Sequence, residues 1–215
     1  VTAALKSVEE RIVKACRDAE RKNDDVELMA VSKGRDAAAI DQLIKNGVTL
    51  FGENRAQEVL EKWPPIRARC PQTRVHFIGH LQTNKVKDVY AACDGLHSLD
   101  RPELAQALRK AIAAQPREFD IYIQVNTGEE PQKGGVTPTH LPEFVRYCRV
   151  DMGLNIKGLM VLPPMGAPAA LHFTLLHKLA AETGLQGLSM GMSDDFETAI
   201  RCRATLVRLG SILFN

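Results

Sequence analysis

Much of what would narrow the function of this chain is missing from it. Its five cysteines (Cys16, Cys70, Cys93, Cys148, Cys202) include no C-x-x-C pair, which excludes a zinc ribbon and a thioredoxin motif. Their odd number and wide scatter predict reduced, mostly buried thiols in a reducing compartment. No segment approaches the roughly 20 apolar residues that cross a bilayer. The opening VTAALKSVEERIVKAC carries acids early and lacks a secretory h-region. It begins on Val1 and not on Met, as a trimmed start would, and a cytoplasmic protein (or the mature form of an organellar one) is expected. A formal charge of +2 is too small to call for nucleic acid or an anionic membrane as partner. There is no P-loop, G-x-S-x-G elbow or dinucleotide fingerprint, and no internal repeat or low-complexity tract.

What is present is ordinary in amount and regular in order. An apolar fraction of 45% and a charged fraction of 25% suit a globular chain, and 215 residues suffice for one core, so one domain over 1–215 is expected. Short β-branched runs alternate with helical periodicity. The strands predicted are Glu27–Ser32, Val48–Gly52, Arg74–Gly79, Gly95–Leu99, Asp120–Asn126, Ile156–Leu162, Leu185–Met190 and Thr205–Gly210. The opening helix, about Ala3–Lys22, carries an apolar stripe of Leu5, Val8, Ile12, Val13 and Cys16. Between the strands, helices are predicted at Asp36–Asn46, from Asn54 to about Trp63 (ending at Pro64-Pro65), and at Asn84–Ala91, Pro102–Ala114, Leu141–Arg149, Ala169–Thr183 and Asp194–Arg203. Strict βα alternation demands a parallel sheet, and eight units favour closure into a TIM-type (β/α)8 barrel. The eighth helix is missing after the last strand, and the extra N-terminal helix is expected to cover that gap.

In such barrels the chemistry sits at the carboxyl ends of the strands. There this sequence puts Lys33, Asn54, His80, Asn126-Thr127, Met160, the Ser189–Ser193 run and the Arg208–Ser211 run. Lys33 directly follows a continuous apolar strand, so its amine should stand partly desolvated at the mouth. Desolvation disfavours the ammonium and frees the amine to attack an aldehyde; the alternative is an ordinary surface lysine. GMSDDF places small residues at a loop-to-helix junction, where Ser193 or Asp194 caps the helix or backbone N–H groups take a phosphate. Gly210 and Ser211 add an approachable amide and a hydroxyl. Arg208, inside the apolar TLVRLG, must reach a solvated end or an acceptor, an acid across the barrel included. His76 and His80 have metal-ligand spacing only on a helix. Along a strand they would lie roughly 13 Å apart, which argues against a shared ion. His97 and His140 read as structural, and Glu129, Glu130 and Asp151 as solvated loop charges.

The blocks LMAVSK, FGENRAQE, HFIGHLQTNK, HSLDR, VNTGEEPQKGG, KGLM, LSMGMSDDF and VRLGSILF run in order over nearly the whole chain. They closely resemble the pyridoxal phosphate homeostasis protein family. The resemblance implies a barrel like the N-terminal domain of alanine racemase, and a cytoplasmic binding protein for pyridoxal 5′-phosphate (PLP). By it, Lys33 matches the Schiff-base lysine and Asn54 lines the cofactor site. Ser189, Met190, Gly191, Ser193, Gly210 and Ser211 fall in the phosphate-side blocks, and Arg208 faces the pyridine nitrogen. His80 joins the site as the rim residue of the third strand. Departures are Arg55 where the family has tyrosine after GEN, and VRLGSILFN for VRIGTAIFG, which keeps the hydroxyl. The expected role is carriage or buffering of PLP with little or no turnover, because a cationic arginine favours a neutral pyridine and no tyrosine is expected at the rim. The enzymatic alternatives are a PLP-dependent amino-acid racemase, which would need dimerisation to supply a base, and a class I aldolase using Lys33. The expected partners are PLP and PLP-dependent apoenzymes, and the protein is expected to be a monomer or a weak dimer.

Overall fold

An apolar run without alternation needs cover on both faces, and eight such runs in parallel obtain it by closing on themselves. In the computed structural model, which describes residues 1–214, the strands are β1 (Glu27–Val31), β2 (Leu50–Glu53), β3 (Arg74–Phe77), β4 (Gly95–Leu99), β5 (Asp120–Val125), β6 (Ile156–Val161), β7 (Gly187–Ser189) and β8 (Leu206–Leu209). They pair in parallel in chain order, and β8 pairs back onto β1 with Glu27 opposite Leu206, so the TIM-type barrel read from the alternation is present.

The helices are α1 (Thr2–Asp18), α2 (Ala37–Lys45), α3 (Ala56–Arg69), α4 (Val86–Ala92), α5 (Pro102–Ala114), α6 (Leu141–Arg146), α7 (Ala169–Thr183), α8 (Phe196–Arg201) and the single turn α9 (Ser211–Phe214). Outward-facing strand residues such as Phe51, Val75, Ile121, Ile123, Val207 and Leu209 join the helices in one large core. Inward-facing Met29, Leu50 and Leu206 form a small apolar cluster inside the barrel. The α1 helix lies against α8 and α9, in the place a full eighth crossover helix would take. It buries Leu5, Val8, Ile12, Ala15 and Cys16, and Arg11 bonds Glu197 of α8 at 2.7 Å. Each of its larger apolar side chains stabilises that seam by about 1.5–3 kcal/mol. Val13 is exposed instead, because it falls off the stripe that Ala15 completes.

Two further readings need correction. The helix expected to stop at Pro64-Pro65 runs on to Arg69 with both prolines inside it. Each proline removes one backbone bond, but its fixed φ is already helical. Trp63 and Ile66, buried on either side of the pair, anchor the helix through it. The helix expected over Leu141–Arg149 is shorter, and its last turn widens into a π turn over Tyr147–Asp151. Among the described residues no helix is long and apolar enough to cross a membrane. Cys16, Cys93 and Cys148 are buried, with no disulfide among the described cysteines.

Candidate functional site

Along a strand every second side chain faces the barrel interior, and the loop after each strand opens at its carboxyl end. Lys33 after β1, Asn54 after β2 and Ile78, Gly79 and His80 after β3 therefore share one rim. Gln124 and Asn126 of β5 and its loop, Met160 of β6 and Leu162 just after it, Met192–Asp194 after β7, and Arg208, Gly210 and Ser211 complete it. Together they line a cavity of about 700 Å³ at the barrel mouth. Of the expected site residues, Lys33, Asn54, His80, Ser193, Arg208, Gly210 and Ser211 come together here. Ser189, Met190 and Gly191 do not line the cavity. Ser189 lies beneath its floor, bonded to Arg208, and Met190 points outward into the barrel–helix core. Gly191 contributes its carbonyl to the Arg208 N–H at 2.9 Å. The floor is tight on the Asn54 side: a Cβ on Gly79 would sit 2.2 Å from the Asn54 carbonyl oxygen. Arg55, the departure from the family pattern, is exposed at the start of α3.

Lys33 is exposed, so the desolvation expected to free its amine is not provided by burial. A strand end leads straight into a turn here, and nothing covers the side chain. What the fold does provide is a firm mount. Glu53, fully buried, accepts from Ser32 Oγ at 2.7 Å and Trp63 Nε1 at 3.1 Å, and the same oxygen is ion-paired with the Lys62 ammonium at 2.7 Å. Lys62 also donates to the carbonyls of Ser32 and Arg35, at 2.9 and 3.2 Å, the residues that bracket Lys33 and Gly34. Glu58 accepts from Lys62 at 2.7 Å and from the Gly34 N–H at 2.6 Å. Burial alone would raise the Glu58 carboxyl, but these two donors outweigh it and hold the carboxyl below its ordinary value. Sequence reasoning missed this network. The only trace of it was an acid inside a strand of four buried residues, LFGE.

Arg208 is 3% exposed and reaches acceptors and not an acid: Nη1 donates to Ser189 Oγ at 2.7 Å and Nη2 to the Val161 carbonyl at 2.8 Å. The ion pair across the barrel is absent from its contacts. Burial pushes its guanidinium down to about 10, against the pull of Asp195, and it remains a cation at neutral pH. Beneath it lies a polar layer. His97 Nδ1 is 2.8 Å from Ser189 Oγ, and His97 Nε2 is 2.9 Å from His76 Nδ1. Tyr122 stacks on His97 with ring centroids 4.3 Å apart. Burial holds His97 well below its ordinary range and His76 down to about 4, so both imidazoles are neutral. His76 therefore pairs with His97 inside the barrel, while His80 stands exposed on the rim.

The sign of the resulting pH dependence follows from His76. Above about pH 6.5 the imidazole is neutral in both folded and unfolded chains. Below it the unfolded chain takes up a proton that the folded one refuses until about pH 4. Folding should thus lose about 3 kcal/mol as pH falls across that window, at about 1.4 kcal/mol per unit. Urea midpoints at pH 7 and 4.5 measure it. A His76→Gln protein with the same acid loss as wild type would show that another group is responsible.

At the opposite side of the mouth Ser211 Oγ donates to Ser193 Oγ at 3.2 Å. Neither Ser193 nor Asp194 caps α8, contrary to expectation. Asp195 holds the turn, accepting from the Met192 N–H at 2.6 Å, and Ser193 keeps its hydroxyl at the cavity. The GEEPQKGG loop folds back over β5: Asn126 Nδ2 donates to the Glu130 carbonyl at 2.9 Å, and Val125 bridges Val136. Glu130 is half-buried and paired with Lys133 at 2.7 Å, so it is not the solvated charge expected. No tyrosine lines the cavity. Tyr90 on α4 donates to the Gln115 carbonyl, Tyr122 lies below Arg208, and Tyr147 receives a bond from Gln106 on the outer surface.

Known proteins place this geometry in a lineage. The family model for the alanine racemase N-terminal domain matches residues 5–215. The pyridoxal phosphate homeostasis protein of Aquifex aeolicus is 39% identical, covering 98% of this chain and 96% of the relative. That of Escherichia coli K12 is 32% identical over 98% and 94%. Among solved structures, PipY of Synechococcus elongatus with PLP bound superposes with a TM-score of 0.82 at 30% identity, covering 95% of this chain and all of that one. Alanine racemase of Corynebacterium glutamicum shares only the fold, with a TM-score of 0.64 at 17% identity over 60% of its own chain. A closed barrel, a family model matched over residues 5–215 and near-complete coverage of relatives up to 39% identical agree: the chain belongs to the pyridoxal phosphate homeostasis proteins, within the alanine racemase N-terminal domain family.

Proposed function

We propose that this protein binds PLP reversibly through Lys33 and holds or passes on the cofactor, with little or no turnover of amino acids. The observation that carries the reading is the convergence on one open cavity of a primary amine, a buried cation with donors to spare and a pair of hydroxyls. These fit the three ends of the molecule. Lys33 supplies the amine for the aldehyde. Arg208, with two of its five N–H groups engaged below, keeps donors for the ring nitrogen. Ser193, Ser211 and the first N–H groups of α9, which have no partner within their own turn, suit the phosphate, with Gly210 letting the backbone approach. Asn54 and His80 would flank the ring. When bound, PLP supplies an aldehyde that bonds an amine with release of one water, and a ring able to draw electrons from that bond.

The lack of turnover rests on what faces that ring. Electron withdrawal is strong when an acid keeps the pyridine nitrogen protonated, whereas Arg208 only donates and favours the neutral ring. Racemisation also needs a second base. The cavity wall offers no tyrosine, and its mouth stays open to water at the exposed Lys33. The racemase reading would require another subunit to bring in that base. The recipients we propose are PLP-dependent apoenzymes, and the place of action the cytoplasm.

The test is an absorption spectrum of the PLP-loaded protein before and after borohydride, with the reduced peptide mapped. Label on Lys33 is expected, and label elsewhere or none overturns the reading. Incubation with L- or D-alanine is expected to leave chirality unchanged, and robust racemisation would restore the enzymatic alternative.

A further inference from the structure

The hydrogen bonds under Arg208 have a direction. An arginine can only donate, so Ser189 Oγ receives the Nη1 proton and its own O–H is left to donate onward, to His97 Nδ1. His97 is neutral, so its proton then sits on Nε2 and points at His76 Nδ1. His76, neutral for the same reason, must carry its proton on Nε2. That nitrogen is buried without a hydrogen-bond partner, and the acid facing it is Asp120 at 3.8 Å. The reverse order would turn a bare His76 lone pair toward a carboxylate, which is repulsive. Around His76 the charged groups are Asp120, Arg74, Asp94 and Lys157, and Lys157 bonds Asp120 at 2.7 Å.

The barrel makes room for this chain. Ser189, His97 and His76 come from β7, β4 and β3, each from an inward position, and all are buried. A Cβ on Gly95 would meet the His76 ring at 3.0 Å, and one on Gly187 would meet the Tyr122 ring, stacked on His97, at 2.9 Å.

We propose that Ser189, His97 and His76 form a one-way hydrogen-bond relay from Arg208 at the cofactor mouth down to His76, whose Nε2–H faces the Asp120 carboxylate at the opposite end of the barrel without bonding it. The three are positioning residues. They fix the plane of the guanidinium so that its remaining donors face the cavity, and they hold it as a donor to the pyridine nitrogen. The last clause rests on PLP occupying the cavity as proposed above; the relay itself does not.

Two arms of one experiment keep those claims apart. In the unliganded full chain, nitrogen-15 NMR of labelled histidines at pH 7 is expected to show His97 and His76 both neutral with the proton on Nε2. A proton on Nδ1 of either ring overturns the relay, whether or not PLP binds. In the loaded protein, the ring nitrogen of labelled PLP is read in Ser189→Ala, His97→Asn and His97→Gln. Asparagine keeps an acceptor for Ser189 but cannot reach His76, whereas glutamine keeps a donor toward His76 and loses the acceptor. All three are expected to move the ring-nitrogen resonance from its wild-type position and to speed PLP release about tenfold, the cost of one charge-assisted bond. A wild-type resonance in His97→Asn would mean that Ser189 braces Arg208 alone, and the relay fails. If wild type takes up no PLP at all, the cofactor reading fails while the tautomer arm still decides the relay.

Discussion

Replacing Lys33 by alanine is expected to weaken PLP retention by more than about 100-fold, roughly 2.7 kcal/mol, while leaving the fold intact. The two effects separate because the side chain is exposed and makes none of the bonds that mount its loop. A surface truncation of that kind usually changes stability by less than about 0.5 kcal/mol, and the thermal midpoint should hardly move. Lys33→Arg divides the loss further. It keeps a cation at the mouth but no amine able to bond an aldehyde, so it should behave like alanine in borohydride trapping. Equilibrium dialysis of all three proteins against PLP gives the comparison. Equal retention by Lys33→Ala and wild type would mean that Arg208 and the two serines hold the cofactor without a covalent bond.

Glu53→Ala should cost about 2–6 kcal/mol of stability, because it takes the shared acceptor from the buried Ser32 hydroxyl and Trp63 indole N–H, while Lys62 keeps Glu58 and two carbonyls. Lys62 is only 10% exposed, and Glu53 stands between it, Ser32 and Trp63. Glu53→Gln keeps an acceptor for the hydroxyl and the indole but removes the charge, and should cost about 1–3 kcal/mol. Because Lys62 also grips the Ser32 and Arg35 carbonyls, the loop carrying Lys33 should loosen with it. Faster hydrogen exchange at Gly34 is expected before any global unfolding. Denaturant curves with exchange measured alongside settle both. An alanine variant as stable as wild type would show that one oxygen of Glu53, buried without a partner, already offsets the gain from the other.

The barrel was legible because its signal is periodic. Eight apolar runs and their intervening helices repeat the same two patterns, and closure follows from their number and parallel order. The mouth was legible for the same reason, since strand ends can be read off the runs. Pro64-Pro65 misled because local propensity speaks against a helix where the burial of Trp63 and Ile66 decides for one. The exposure of Lys33 depends on how far neighbouring loops rise, which no local pattern encodes. The layer of Ser189, His97 and His76 was hidden in another way. Each residue sits on a different strand, and nothing in a single strand tells a histidine that meets another histidine from one that meets only aliphatic neighbours. Glu53 and Lys62 are nine residues apart and joined by a helix start, and they were overlooked because an acid in a strand and a lysine on a helix are each unremarkable alone.

The seam between β1 and β8 sets an order on assembly. Glu27–Val31 is synthesised well before the strand it must lie beside, Leu206–Leu209, with six other strands made in between. Until then β1 has one open edge, and an unpaired apolar edge invites other chains. Partial barrels on nascent chains are thus the species most exposed to aggregation, and contacts spanning so much of the chain make the closing step slow. Slowing translation near β8 should therefore lower the soluble yield more than slowing it near β2.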